Sequence, residues 1–213
     1  MSRHIVRRFA ILFACVALAP VLTGATNYAA GRLTRTAASS LACIPTAAIP
    51  SLAVIAMLYV WRGDRALLKW RRRTFAIERR AATLAVGWLM AWIIGSIIVA
   101  HLVGGWITYA QGTAALFAFL VFGPIGEELL FRGLIWDEAR AAGGSAARAT
   151  AISVTAFSVH HLFLHGVSLP HVAFAQMAFA VPMGLVLIRL RRLTSSLWPP
   201  LLVHVATNLP AAF

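Results

Sequence analysis

Apolar runs long enough to cross a lipid bilayer recur along this 213-residue chain, near 9–30, 41–61, 82–106, 112–136, 149–165, 169–189 and 196–213. A hydrocarbon core of ~30 Å takes about 20 helical residues, so each run suffices, with 149–165 and 196–213 the shortest. Inside lipid every backbone polar group must find its partner within the protein, and continuous apolar runs do this as helices. The expected fold is therefore all-α, a polytopic integral membrane helical bundle of about seven transmembrane helices. Composition agrees: 61% of residues are hydrophobic and only 12% charged, too little polar surface for a soluble domain of this size. Trp61, Trp106, Trp136 and Trp198 stand at run ends, as interfacial anchors do.

The net charge of +13 is unevenly spread. Eight of the nineteen basic residues lie in the connector 62–80, opposed only by Asp64 and Glu78. Between apolar spans, such a run faces anionic lipid headgroups rather than nucleic acid, for which no binding motif is present. Basic residues also set orientation. Arg3, Arg7, Arg8, the connector, Arg140, Arg148, Arg189, Arg191 and Arg192 share one side if there are seven spans. The opposite side holds only Arg32 and Arg35, so the amino terminus is expected in the cytoplasm and the carboxyl terminus outside. The first run also reads as a signal peptide, with Thr23 and Ala25 where cleavage would fall. Cys15 and Cys43 lie in apolar runs without metal-ligand spacing. The chain divides into 1–81, the front helices with the basic connector, and 82–213, a membrane core.

Within that core, "GEELLFRG" (126–133) interrupts an apolar run with Glu127, Glu128 and Arg132. Each charge at mid-bilayer costs roughly 2.5–3.5 kcal/mol when unpaired. Glu128 and Arg132 are four residues apart with the acid first, the favourable order for an ion pair on a helix. Glu127 points about 100° away and lacks that partner. One carboxylate therefore reads as structural and the other as available. His161 follows Phe157 by four positions in the fifth run, and His204 and Asn208 are four apart in the last. Counted from the cytoplasmic end of each run, Glu127, His161 and His204 lie ~15, ~20 and ~12 Å deep at ~1.5 Å per residue. Polar groups from three helices at similar depth imply a shared, watered cavity. The remaining histidines carry structural readings: His160 faces elsewhere, His165 lies one turn nearer the outer surface, and His4, His101 and His171 sit near span ends. Pro182 reads as a kink within the sixth span.

"EELLFR", "FSVHH" and "HVATN" fit the patterns EExxxR, FxxxH and HxxxN, in order and on separate helices. The chain from about Gly112 to Leu209 thereby resembles the CPBP intramembrane proteases, which include the type II CAAX prenyl endopeptidases and related bacterial proteins. The resemblance implies an endopeptidase that attacks the scissile carbonyl with an activated water. Glu127 would be the general base, His161 would help hold and activate the water, and His204 and Asn208 would donate to the developing oxyanion. Glu128 and Arg132 would support Glu127 or contact the substrate's main chain. A carboxylate removed from bulk water is a better base, and donors fixed on one helical face stabilise charge well where water is scarce.

No cofactor is required in this reading. Zinc held by Glu127, His161 and His204 is the rival, although no HExxH is present. The expected substrate is a membrane-associated peptide or protein, and an Ala/Arg-rich chain of this kind points to a bacterial inner membrane rather than to prenylated CAAX substrates. Two other functions fit less well. A catalytically silent relative acting as an immunity or regulatory protein does not need every motif residue, and a transporter or proton path would be expected to show repeat symmetry.

Overall fold

The computed structural model describes residues 75–103, 118–164 and 170–209. Among these, every regular element is a helix. Helix α1 is Phe75–Val103. Helix α2 (118–141) is built from four consecutive segments, Ala118–Phe122, Gly123–Glu127, Glu128–Ile135 and Trp136–Ala141. Helices α3, α4 and α5 are Ala146–Leu164, Pro170–Thr194 and Trp198–Asn208.

Two described helices are long and apolar enough to cross a membrane, over Ala76–Leu102 and Phe174–Thr194. The apolar runs at 9–30 and 41–61 lie outside the described residues, as do His4, His165, Trp61, Trp106, both cysteines and most of the connector. The seven-span expectation is thus met as helicity rather than as a count. One boundary differs from the sequence reading. Helix α1 already includes Phe75–Ala81, so the connector's last bases, Arg79 and Arg80, are helical. Helix α5 covers Trp198–Asn208, and residues 210–213 of the last run lie outside the described residues.

Helix α2 is unusual in its winding. Its first and third segments are π-helical, with hydrogen bonds reaching one residue further than in an α-helix. Pro124, between them, has no backbone N–H to give and interrupts the i→i−4 ladder. The dihedrals at Phe122, Glu127, Glu128, Ile135 and Trp136 stay helical, so the rod continues through each change of winding. Every residue from Glu128 to Ile135 is buried. The hydroxyl of Ser153 on α3 donates to the carbonyl of Phe131 (2.7 Å), fastening this stretch to its neighbour.

The turn from α2 to α3 requires two glycines. Gly143 N–H donates to the Arg140 carbonyl and Gly144 N–H to the Ala139 carbonyl, closing the helix end in a Schellman motif. Gly143 takes φ +84°, and a Cβ on Gly144 would lie 2.5 Å from the Ala139 oxygen. Helices α3 and α4 form the most extensive pairing, with α1 against α4 and α5. Gly184 on α4 allows that approach, because a Cβ there would meet Val154 at 3.3 Å and Phe157 at 3.4 Å. Ser158 ties the same pair by donating to the Met177 carbonyl (2.6 Å). Pro182 lies inside α4, which runs on through it. At the end where α2 and α4 carry their arginines, Arg191 meets Asp137 at 3.5 Å beside the ring of Trp136.

Candidate active site

Glu127 and Glu128 stand at the junction where α2 passes from α-helical to π-helical winding. The change separates their surroundings. The side chain of Glu128 is 1% exposed, whereas that of Glu127 is 18% exposed. Arg132, one turn on, is wholly buried with Nη1 3.1 Å from Glu128 Oε1. The ion pair is close but poorly aligned. None of the guanidinium nitrogens meets an acceptor in hydrogen-bond geometry among the described residues, and Glu128 Oε2 is likewise unpartnered there. The guanidinium instead lies over the Phe157 ring, 3.9 Å from its centroid. A pair of this kind adds little net stability but is costly to break.

Helix α5 supplies the second half of the cluster. Its chain turns in through Ser195 (φ 51°), and the Ser196 hydroxyl accepts from the Trp198 N–H at 3.2 Å. Pro199 and Pro200 fill the first turn, where no backbone donor is needed. His204, two turns along and 3% exposed, projects at the carboxylates. Its Nδ1 donates to Glu128 Oε1 at 2.8 Å, and its Nε2 lies 3.6 Å from Glu127 Oε2. One imidazole thus bridges both acids. Asn208 is the last residue of α5, one turn beyond His204, and is half-buried.

His161 enters from α3. Its Nδ1 is 2.8 Å from the carbonyl of Phe157, a contact only an N–H can make favourably. In the neutral ring the lone pair then sits on Nε2. The ring of His161 meets the Phe157 ring edge-on with centroids 4.7 Å apart, and His204 meets it at 5.9 Å. Phe157 therefore touches Arg132, His161 and His204 while being fully buried itself. The adjacent His160 turns the other way, 6% exposed and packed on Phe131 with centroids 5.4 Å apart, which is a core position.

Residues 109–210 match the family model of the type II CAAX prenyl endopeptidase Rce1-like proteins. The likeness covers 102 of the chain's 213 residues. The Rce1-like family is one of proteases, and the likeness together with the two apolar helices points to a membrane protein. No curated protein and no solved structure was found to match the chain. The three patterns read from the sequence all fall inside the Rce1-like stretch, and their side chains come from α2, α3 and α5. The fold brings Glu127, Glu128, Arg132 and His204 into direct contact and sets His161 beside them across Phe157.

Three residues that hold this geometry escaped the sequence reading. Phe157 served there only as a marker of helical phase, yet it is the surface on which three charged or titratable side chains rest. Trp88 and Trp92 of α1 reach Thr207 on α5, a pairing across more than a hundred residues for which local spacing carries no signal. As for zinc, no group of three or more His, Cys, Asp or Glu is disposed to hold a metal ion among the described residues.

Proposed function

We propose that this protein is an intramembrane endopeptidase that cuts a membrane-associated peptide or protein with a water activated by Glu127 and His161. One observation carries the reading. Of two adjacent carboxylates, Glu128 is spent on Arg132 and His204, while Glu127 keeps an exposed edge opposite His204 Nε2.

Glu127 takes a proton from the water as its oxygen attacks the scissile carbonyl. The lone pair that the Nδ1 contact with Phe157 places on His161 Nε2 holds that water for attack. As imidazolium, His204 donates from Nδ1 to Glu128 and presents Nε2–H to the oxyanion, joined by the Asn208 amide. In that state Glu127, Glu128, Arg132 and His204 carry no net charge, which limits the cost of placing them in lipid. Collapse of the tetrahedral intermediate breaks the C–N bond, and Glu127 returns its proton to the leaving amine.

The membrane frame of this reading is seven spans in a bacterial inner membrane, amino terminus in the cytoplasm and carboxyl terminus outside, with anionic lipid at the basic connector. The decisive experiment reconstitutes the full chain with an internally quenched, lipid-anchored peptide. Glu127→Gln is expected to lower turnover by about 10²–10⁴-fold while leaving the thermal transition in place. Turnover equal to the unaltered protein's would remove Glu127 as the base. Incubation with 1,10-phenanthroline is expected to leave cleavage unchanged; loss restored by added zinc would overturn the metal-free mechanism.

A further inference from the structure

Helix α5 runs to Asn208, and Pro210, one turn on from Ala206, has no N–H to give that carbonyl. The Leu209 N–H satisfies the Ala206 carbonyl. The Thr207 carbonyl is satisfied from another helix: Trp92 Nε1 of α1 donates to it at 2.6 Å. One turn earlier on α1, Trp88 Nε1 donates to the Thr207 hydroxyl at 3.1 Å, and that hydroxyl passes its own proton to the Val203 carbonyl at 2.8 Å. Thr207 is 1% exposed. Phe179 of α4 closes the arrangement, its ring centroid 5.7 Å from that of Trp88 and 4.1 Å from that of Trp92. Thr207 is three residues from His204 and adjoins Asn208, so the two indoles hold the part of α5 that faces the acids. Helix α1 precedes the Rce1-like stretch, which begins at residue 109.

We propose that Trp88 and Trp92 are positioning residues for the active site. They bond the last turn of α5 through Thr207 and set the rotation and depth at which His204 and Asn208 meet Glu127. Helix α1 is then a working part of the catalytic unit. The inference rests on the hydrolytic reading for its effect on turnover, but the anchoring of that turn is open to a separate measurement.

The test compares Trp88→Phe, Trp92→Phe, Thr207→Val and Thr207→Ser with the unaltered full chain in nanodiscs of phosphatidylethanolamine and phosphatidylglycerol. Amide exchange over 204–208 and the kcat and KM for the quenched lipid-anchored peptide are read on the same samples. Losing one buried donor is expected to speed exchange in the last turn of α5 about tenfold, and to lower kcat roughly tenfold with KM within about twofold. Exchange in α3 should not change. Thr207→Ser keeps the hydroxyl and should behave as the unaltered chain, whereas Thr207→Val should not. Trp88→Phe combined with Thr207→Val should be no worse than Thr207→Val alone, because the Trp88–Thr207 bond is already lost in the latter.

Unchanged exchange over 204–208 in Trp92→Phe and Thr207→Val would overturn the anchoring. Faster exchange with an unchanged kcat would overturn the positioning role. Where Trp92→Phe does not accumulate, the contrast between Thr207→Val and Thr207→Ser decides in the same terms. Failure of the hydrolytic reading would look different: no cleavage by the unaltered chain, or none lost in Glu127→Gln. The exchange result still judges the anchoring in that event.

Discussion

Helices α1 and α2 invert the rule by which a soluble protein is read. Val86, Ile94, Ile98 and Leu102 on α1 are all more than half exposed, whereas Arg132 and Glu128 on α2 are 0% and 1% exposed. In water, long aliphatic side chains collect inside and arginine stays out. In lipid the solvent is itself apolar, so Ile and Leu lose nothing by facing outward. Charges gain by facing inward, towards partners. The contrast shows where each helix spends its specificity. Helix α1 turns an apolar face outward and reserves two indoles for its neighbours. Helix α2 spends a whole buried π-wound stretch on holding a charged pair.

That contrast can be broken by substitution, and the largest effect is expected on α2. Arg132→Met leaves Glu128 buried with His204 as its remaining counter-charge and should destabilise the protein by about 3–5 kcal/mol. Arg132→Met combined with Glu128→Gln should recover part of this loss, and an equal or greater loss would show that the pair acts other than as a charge pair. Reversible unfolding in mixed micelles reads both. Next comes a charge placed where α1 has none. Ile98→Lys should cost roughly 2.5–3.5 kcal/mol in a translocon insertion assay, and a cost near zero would mean that this face does not lie against lipid.

A smaller effect tests the packing behind the cluster. Gly184→Ala forces a methyl to within 3.3 Å of Val154 and 3.4 Å of Phe157, and should cost about 1–3 kcal/mol in the same unfolding measurement. Because Phe157 carries Arg132, His161 and His204, turnover should fall more than the loss of folded protein accounts for. Smallest of all, Leu102→Ala on the outer face of α1 should change stability by less than about 0.5 kcal/mol. A loss comparable to that of Gly184→Ala would place Leu102 against protein.

Much of the site was legible because its parts are local. The spacing of Glu128 and Arg132, of Phe157 and His161, and of His204 and Asn208 follows from 3.6 residues per turn alone. Helical rise also put Glu127 and His204 at comparable depths, and in the fold they stand 3.6 Å apart. The π winding of α2 could not be read, since it depends on which hydrogen bonds survive around Pro124. Nor could the second use of His204: nothing in "HVATN" says that its Nδ1 will reach Glu128, 76 residues away. Helical phase also separates the two neighbouring histidines, His160 packing on Phe131 and His161 meeting Phe157 edge-on.

The sequence by itself determined that the chain is helical and membrane-bound, that charges enter its apolar core, and which of them lie one turn apart. These follow from the cost of polar groups in lipid and from the fixed geometry of one helix. Only the tertiary structure decided which side chains of different helices touch: His204 between two acids, three charged or titratable groups on one Phe157, and two indoles at the end of α5. Such contacts depend on how each helix is rotated and how deep it sits. Packing along the full length of its neighbours sets both, so no short segment contains the answer.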